Sequence, residues 1–218
     1  MKKKFALVVT TIVVATALAS AQTTAGLSKG MRGSYVFFVV DAENPGAQTD
    51  FDVSYNFPGI PNKTIHLKKG HSSVHKFVQT PMKSRNEVGG TIWQEDLEKL
   101  TVTYVSEDGK AEEYPLPVDF KVLFKPPVMF PIPTSVQHFL RKLPEREKVA
   151  GHWCDVYEAN VADNYGKVWK LADNPDITMK TIAKIGSRIY FLQATTFEQD
   201  VEISDSEFAL PSSAKKSP

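Results

Sequence analysis

Apolar and polar residues alternate with a period of two along much of this chain. Phe51-Asp52-Val53-Ser54-Tyr55-Asn56-Phe57 places every apolar side chain on one face and every polar one on the other, and Leu100-Thr101-Val102-Thr103-Tyr104 repeats the pattern. Such segments predict strands of a sheet with one dry and one wet face, an arrangement that favours antiparallel pairing. Further strands are expected over 35–40, 64–67, 74–78, 153–159, 167–171, 178–184 and 188–195. Turn formers separate them: Asn44-Pro45-Gly46, Pro58-Gly59, Glu107-Asp108-Gly109 and Asp163-Asn164-Tyr165-Gly166.

One stretch breaks the pattern. Lys125-Pro126-Pro127-Val128-Met129-Phe130-Pro131-Ile132-Pro133 is too rich in proline to donate a regular ladder of hydrogen bonds. Directly after it, Val136, Phe139, Leu140 and Leu143 recur at helical spacing. Thr134 or Ser135 can cap that helix, Arg141 and Lys142 suit its last turn, and Pro144 stops it. The expected fold is therefore mainly β, a single antiparallel sheet with one short helix, in one domain spanning 22–210. A single sheet must cover its apolar face. Trp93, Trp153, Trp169, Phe130 and Phe139 can serve as that cover's core or as the lining of an apolar pocket.

The two ends of the chain change the picture. Lys2, Lys3 and Lys4 precede an apolar run from Phe5 to Leu18, and Ala19-Ser20-Ala21 supplies the small residues of a signal-peptidase site. Residues 1–21 read as a cleaved secretory signal, with a mature start at Gln22 and a periplasmic or secreted product. The apolar run is shorter than the ~20 residues that span a bilayer, so the mature chain is not expected to be membrane-spanning. Residues 211–218 are polar and aperiodic and read as a disordered tail. With Cys154 the sole cysteine, no internal disulfide can form, and a small buried strand residue is the expected role. Without the leader lysines, 23 basic residues face 25 acidic ones, a net charge near −2. With no long basic run and no aromatics interleaved with arginines, nucleic acid is not an expected partner.

Recognisable catalytic chemistry is hard to find. His66, His71 and His75 lie close in sequence, but on a strand an i, i+4 pair stands ~13 Å apart, too far to share a metal. They read as solvated histidines. His152 and Cys154 share a strand face, yet alternate residues stand roughly 7 Å apart, out of hydrogen-bond contact for a nucleophile pair. No G-x-S-x-G elbow is present, and Gly89-Gly90 does not make a phosphate loop. The expectation is a non-enzymatic protein with no cofactor and no metal.

The second half of the chain resembles a known pattern. Gly151-His152-Trp153-Cys154-Asp155-Val156-Tyr157 is similar to the G-x-x-C-x-x-Y strand of a family of exported bacterial proteins related to the periplasmic lipoprotein carriers (LolA-like and LolB-like). Gly166-Lys167-Val168-Trp169 resembles that family's next strand, and Phe208-Ala209-Leu210-Pro211 its closing F-x-x-P. Upstream, Arg85, Thr91-Ile92-Trp93-Gln94-Glu95-Asp96 and Tyr114-Pro115-Leu116-Pro117 resemble its R…T-I…D…Y-x-x-P section. The likeness covers about residues 80 to 215. It implies a curved sheet, a half-barrel around a helix or lid, whose concave face holds acyl chains, with Gly151 where the sheet bends. It transfers no catalytic residue. The proline-rich segment 125–133 is a departure from the pattern and leaves the lid open.

The leading expectation is thus a periplasmic carrier or chaperone for a lipid or other apolar ligand. The residues expected to bind it are Met129, Phe130, Val136, Phe139, Leu140, Trp153 and Trp169. The alternatives are an interaction module docking on an outer-membrane or secreted partner and, third, a metal-binding protein or enzyme.

Overall fold

The computed structural model describes residues 27–44, 50–55, 61, 63–67, 73–116, 138–212 and 214–216. The leader 1–21 and the proline-rich segment 125–133 lie outside the described residues. The described chain is mainly β and is dominated by one open antiparallel sheet of eleven strands, in the order β8-β7-β6-β5-β4-β1-β13-β12-β11-β10-β9. In chain order these are β1 (Leu27–Asp41), β4 (Ser73–Gln79), β5 (Lys83–Val88), β6 (Thr91–Asp96), β7 (Thr101–Val105), β8 (Lys110–Pro115), β9 (Arg141–Val149), β10 (His152–Val161), β11 (Asn164–Leu171), β12 (Thr178–Ile185) and β13 (Arg188–Ser204). A separate hairpin of β2 (Phe51–Tyr55) and β3 (Lys63–Leu67) stands beside it. The tail expected to fray instead adds a two-residue strand, β14 (Lys215–Lys216), parallel to Lys110 and Ala111 of β8.

The two long strands, β1 and β13, form the spine. Val36-Phe37-Phe38-Val39-Val40 is β-branched or aromatic throughout, the composition that fits a pleated surface. The β1–β13 ladder runs from Leu27↔Ser204 to Asp41↔Arg188, with register shifts at Gly30/Met31 and Ser34/Tyr35. Here the backbones approach closely. A Cβ on Gly33 would lie 2.5 Å from the Thr196 carbonyl oxygen and 2.9 Å from the Phe77 ring. Tyr35, Phe37 and Val39 of β1 are buried with Phe77, Leu192, Phe197, Cys154, Val156, Trp169 and Leu171 in the main core. At the far edge the β9–β10 turn reaches back to β13. The His152 ring packs edge-on against Phe197, with centroids 5.4 Å apart, and His152 Nε2 lies 3.0 Å from the Phe197 carbonyl oxygen.

Two expectations need correction. Arg141, Lys142 and Leu143, assigned above to the end of a helix, belong to strand β9, where Arg141 pairs with Glu158 and Lys142 with Tyr157. The ladder then breaks, so that Leu143, Pro144 and Glu145 lie opposite Val156 alone before pairing resumes at Arg146↔Asp155. Proline is tolerated there because β9 is an edge strand and the break demands no donor. Val136 lies outside the described residues, and His138–Phe139 form a turn. Gly151 does not bend a strand. With Ala150 (φ 49°) it makes the two-residue turn of the β9–β10 hairpin, at φ 85°, a left-handed pair that suits the twist of the flanking strands.

The expected strands recur as β1–β4, β7 and β10–β13, while β5, β6, β8 and β9 did not stand out in sequence. In β6 the reason is burial on both faces: Ile92 and Trp93 are both buried, and so are Glu95 and Asp96. One face packs with Val102 and Leu116, and the other is covered by Leu210 and Ala214 of the C-terminal segment.

Candidate functional site

The expected ligand-binding residues separate in three dimensions. Met129, Phe130 and Val136 lie outside the described residues. Trp169 is buried in the main core, its ring capped by Lys180 and Lys167 with Nζ 4.4 and 5.2 Å from its centroid. Trp153, by contrast, is 54% exposed and Phe139 62% exposed. Trp169 stands opposite Val156 in the β10–β11 ladder, three residues from Trp153, so the two tryptophans occupy opposite faces of the sheet.

Trp153, Asp155 and Tyr157 alternate on β10 and share one face. The ladders place Lys148, Arg146 and Lys142 of β9 directly across from them, and Lys170 and Val168 of β11 across from Asp155 and Tyr157. Lys148 Nζ lies 5.0 Å from the Trp153 ring centroid, and Lys170 Nζ 5.4 Å from that of Tyr157. Asp155 joins Lys142 at 2.6 Å and Arg146 at 2.7 Å. The Lys142 hydrogen bond, then that of Arg146, holds its carboxyl below the usual carboxylate range. Leu140 packs beside Tyr157, Ala159 and Val168. The result is an aromatic and apolar strip flanked by four cations, with Asp155 as the one carboxylate across from them in the ladders of the described residues. It suits the binding of an apolar body with an anionic group, through aromatic contact and charge.

A second polar group sits on β5–β8. Lys63 pairs with Glu112 and lies over the rings of Tyr104 and Tyr114. Tyr114 donates to Glu112 at 2.5 Å. Held by Lys63 first and Tyr114 second, the Glu112 carboxyl titrates down at about 2. This cluster ties the β2–β3 hairpin to the main sheet. Deeper in, Glu95 accepts hydrogen bonds from Trp93 Nε1 and Ser84 Oγ, both at 3.2 Å, and burial raises its pKa.

His75 and Cys154 take structural places, and His71 lies outside the described residues. His75 is not solvated, correcting the reading above. It is 2% exposed, stands across from Tyr35 and Val88, and its Nε2 lies 3.1 Å from Asn86 Oδ1. A central strand buries it. His66 stays exposed, with Nδ1 2.6 Å from Asp52. Cys154 is buried, and burial pushes its thiol up to about 11, the behaviour of an inert core residue. Among the described residues no group of three or more His, Cys, Asp or Glu side chains comes together to hold a metal ion, and no helix is long and apolar enough to cross a membrane.

The cationic frame was missed in sequence because it is assembled from three strands. A two-residue turn at Ala150-Gly151 would have revealed it, since such a turn sets 148 against 153 and 146 against 155.

Comparison with known proteins adds little. No family model matches the chain, and no curated protein matches it. Two solved structures of PNGF-II are similar over much of it. The one in space group C2 has a TM-score of 0.35 at 10% identity, covering 82% of this chain and 29% of that one. The one in P21 has a TM-score of 0.36 at 9% identity, covering 87% and 32%. This chain thus spans about a third of the length of those proteins, and a likeness of that size says nothing about what it binds.

Proposed function

We propose that this protein is an exported, non-enzymatic carrier for a lipid or other amphiphile. The reading rests on one observation: Trp153, a large apolar side chain, is 54% exposed on the same face of β10 as Tyr157, which packs with Leu140 and Val168. Large apolar groups left in water beside an apolar cluster favour a binding surface. In this reading the sheet curves into a half-barrel of the LolA-like kind, the strip on β9–β11 forms part of its binding surface, and the leader 1–21 directs the chain to the periplasm or medium. The order of short motifs from Arg85 to Pro211 supports that likeness. The test is a native mass spectrum of protein purified mildly from its own host, with the mature N-terminus read at Gln22. Copurified lipid is the expected result. A ligand-free protein that also takes up no apolar fluorescent probe overturns the carrier.

A second reading, a module that docks on an outer-membrane or secreted partner, is favoured by β9. Among the described residues it is an edge strand with no partner on its outer side, the kind of edge that accepts a strand from another chain. A pulldown in which Lys148→Pro, which removes an outward-facing edge donor, releases the partner while Lys148→Gln keeps it would favour it.

A further inference from the structure

We infer that the β10 face carrying Trp153, Asp155 and Tyr157 docks on an anionic membrane surface. The inference takes the binding strip from the carrier reading but needs no ligand to be bound. Its first support is charge. Lys142, Arg146, Lys148 and Lys170 face Asp155 as the one carboxylate opposite them in the ladders, leaving an excess of three positive charges on a chain whose net charge without the leader lysines is near −2. Basic side chains held on one surface are drawn to anionic lipid headgroups, within about a Debye length.

The second support is the aromatic at the centre. Trp153 is 54% exposed, and Lys148 lies over its ring at 5.0 Å. An indole has an apolar body and one N–H, so it partitions to the boundary between headgroups and acyl chains. With its ammonium over the indole, Lys148 sets a cation beside the aromatic, where headgroup phosphates would lie. Phe139, 62% exposed in the turn before β9, supplies a second apolar group close to Leu140. Burial of Trp153 on docking, with Lys148, Arg146 and Lys142 across from its face, describes an interfacial contact and not a span.

The exposure pattern also provides a readout. Trp93 and Trp169 are 3% and 2% exposed, so a change in tryptophan emission on docking reports Trp153. The purified mature protein is mixed with vesicles of phosphatidylcholine alone, or with phosphatidylglycerol added, and binding is followed by sedimentation and by emission wavelength. Binding is expected only with phosphatidylglycerol, with a blue shift, and with steep weakening in salt. Lys148→Gln and Lys170→Gln should each weaken it roughly fivefold. Trp153→Phe should keep the fold and abolish the shift. Equal binding to neutral vesicles overturns the inference, as does unchanged affinity in the double lysine variant. Tighter binding to a short single-stranded oligonucleotide at the same salt overturns it too, because cations beside aromatics also suit stacked bases. Should Trp153→Phe fail to fold, the lysine variants decide alone. Probe uptake in the absence of vesicles separates the two readings: a protein that docks but takes up no probe keeps this inference and loses the carrier.

Discussion

Glu95 and His75 show what burial does to a titratable side chain, and they pull stability in opposite directions. The donors to Glu95, Trp93 and Ser84, are neutral, so burial dominates and its folded pKa lies above the ordinary 4.5. As pH rises above 4.5 the unfolded chain loses this proton first, and stability falls. His75 behaves conversely: burial lowers it to about 4 from 6.5. The unfolded chain therefore takes up a proton first as pH falls from about 6.5 towards about 4, and on the order of 3 kcal/mol of stability is lost across that window. Urea midpoints recorded against pH should show a loss on the acid side that disappears in His75→Gln. Glu95→Gln should raise the midpoint at pH 7, because its amide oxygen can accept from Trp93 Nε1 and its NH2 can donate to Ser84 Oγ without a buried charge; a lowered midpoint would mean the carboxylate is stabilising. Gly33→Ala tests packing. Its methyl would collide with the Thr196 carbonyl and the Phe77 ring, and a loss of about 1–3 kcal/mol is expected in the same titration.

At the scale of elements, the segment from Phe139 to Val149 matters most, because it turns from an expected helix into an edge strand. The consequence is measurable. Phe139 lies in an exposed turn, so Phe139→Ala should change stability by less than about 1 kcal/mol, far from the ~3–5 kcal/mol of a core phenylalanine. Leu140→Ala should cost more, since Leu140 packs on Tyr157 and Val168. Thermal melts of the two variants decide this, and equal losses would place Phe139 in the core after all. The β2–β3 hairpin is a contrasting element. Among the described residues its two strands pair with each other alone, and Lys63 ties it to Glu112 of the main sheet. A two-stranded ribbon is marginal in water, so amides of 51–55 and 63–67 should exchange with deuterium well before those of β1 and β13.

Across the whole molecule, the C-terminal segment acts as a strap. Leaving β13 at Ser204, it makes a single 3-10 turn over Asp205–Phe208 that buries Phe208. Arg85 reaches it by donating to the Glu207 and Ala209 carbonyl oxygens. Leu210 and Ala214 then cover Ile92, Val105 and Ala111, and β14 pairs with β8. A strap that closes one face of β6–β8 should be needed for their order. A chain ending at Ser204 is expected to melt at lower temperature and to bind a dye that reports exposed apolar surface. An unchanged melt would show that β6–β8 need no second cover.

Alternation in the sequence by itself determined the fold class, and with it most strands. In Leu100–Tyr104 or Arg188–Thr195 one face is dry and the other wet, so burial leaves its mark every second residue. It did not reveal β5, whose Lys83-Ser84-Arg85-Asn86-Glu87 run carries no apolar period and whose partners are cross-strand. Nor did it reveal β6, where the strap buries the second face. Local spacing also misassigned 136–143, because Val136, Phe139, Leu140 and Leu143 fit a helical stripe as well as they fit a turn and an edge strand. Only pairing to β10 decides between them. The candidate face shows the same division. Phe139, Leu140 and Trp153 were legible as large apolar residues in need of a role. That Trp153 is exposed while Trp169, just as apolar in sequence, is buried on the opposite face was decided by tertiary structure. So was the gathering of Lys142, Arg146, Lys148 and Lys170 around one carboxylate, since ladder register brings together residues up to 28 positions apart in the chain and no pattern along a single strand encodes it.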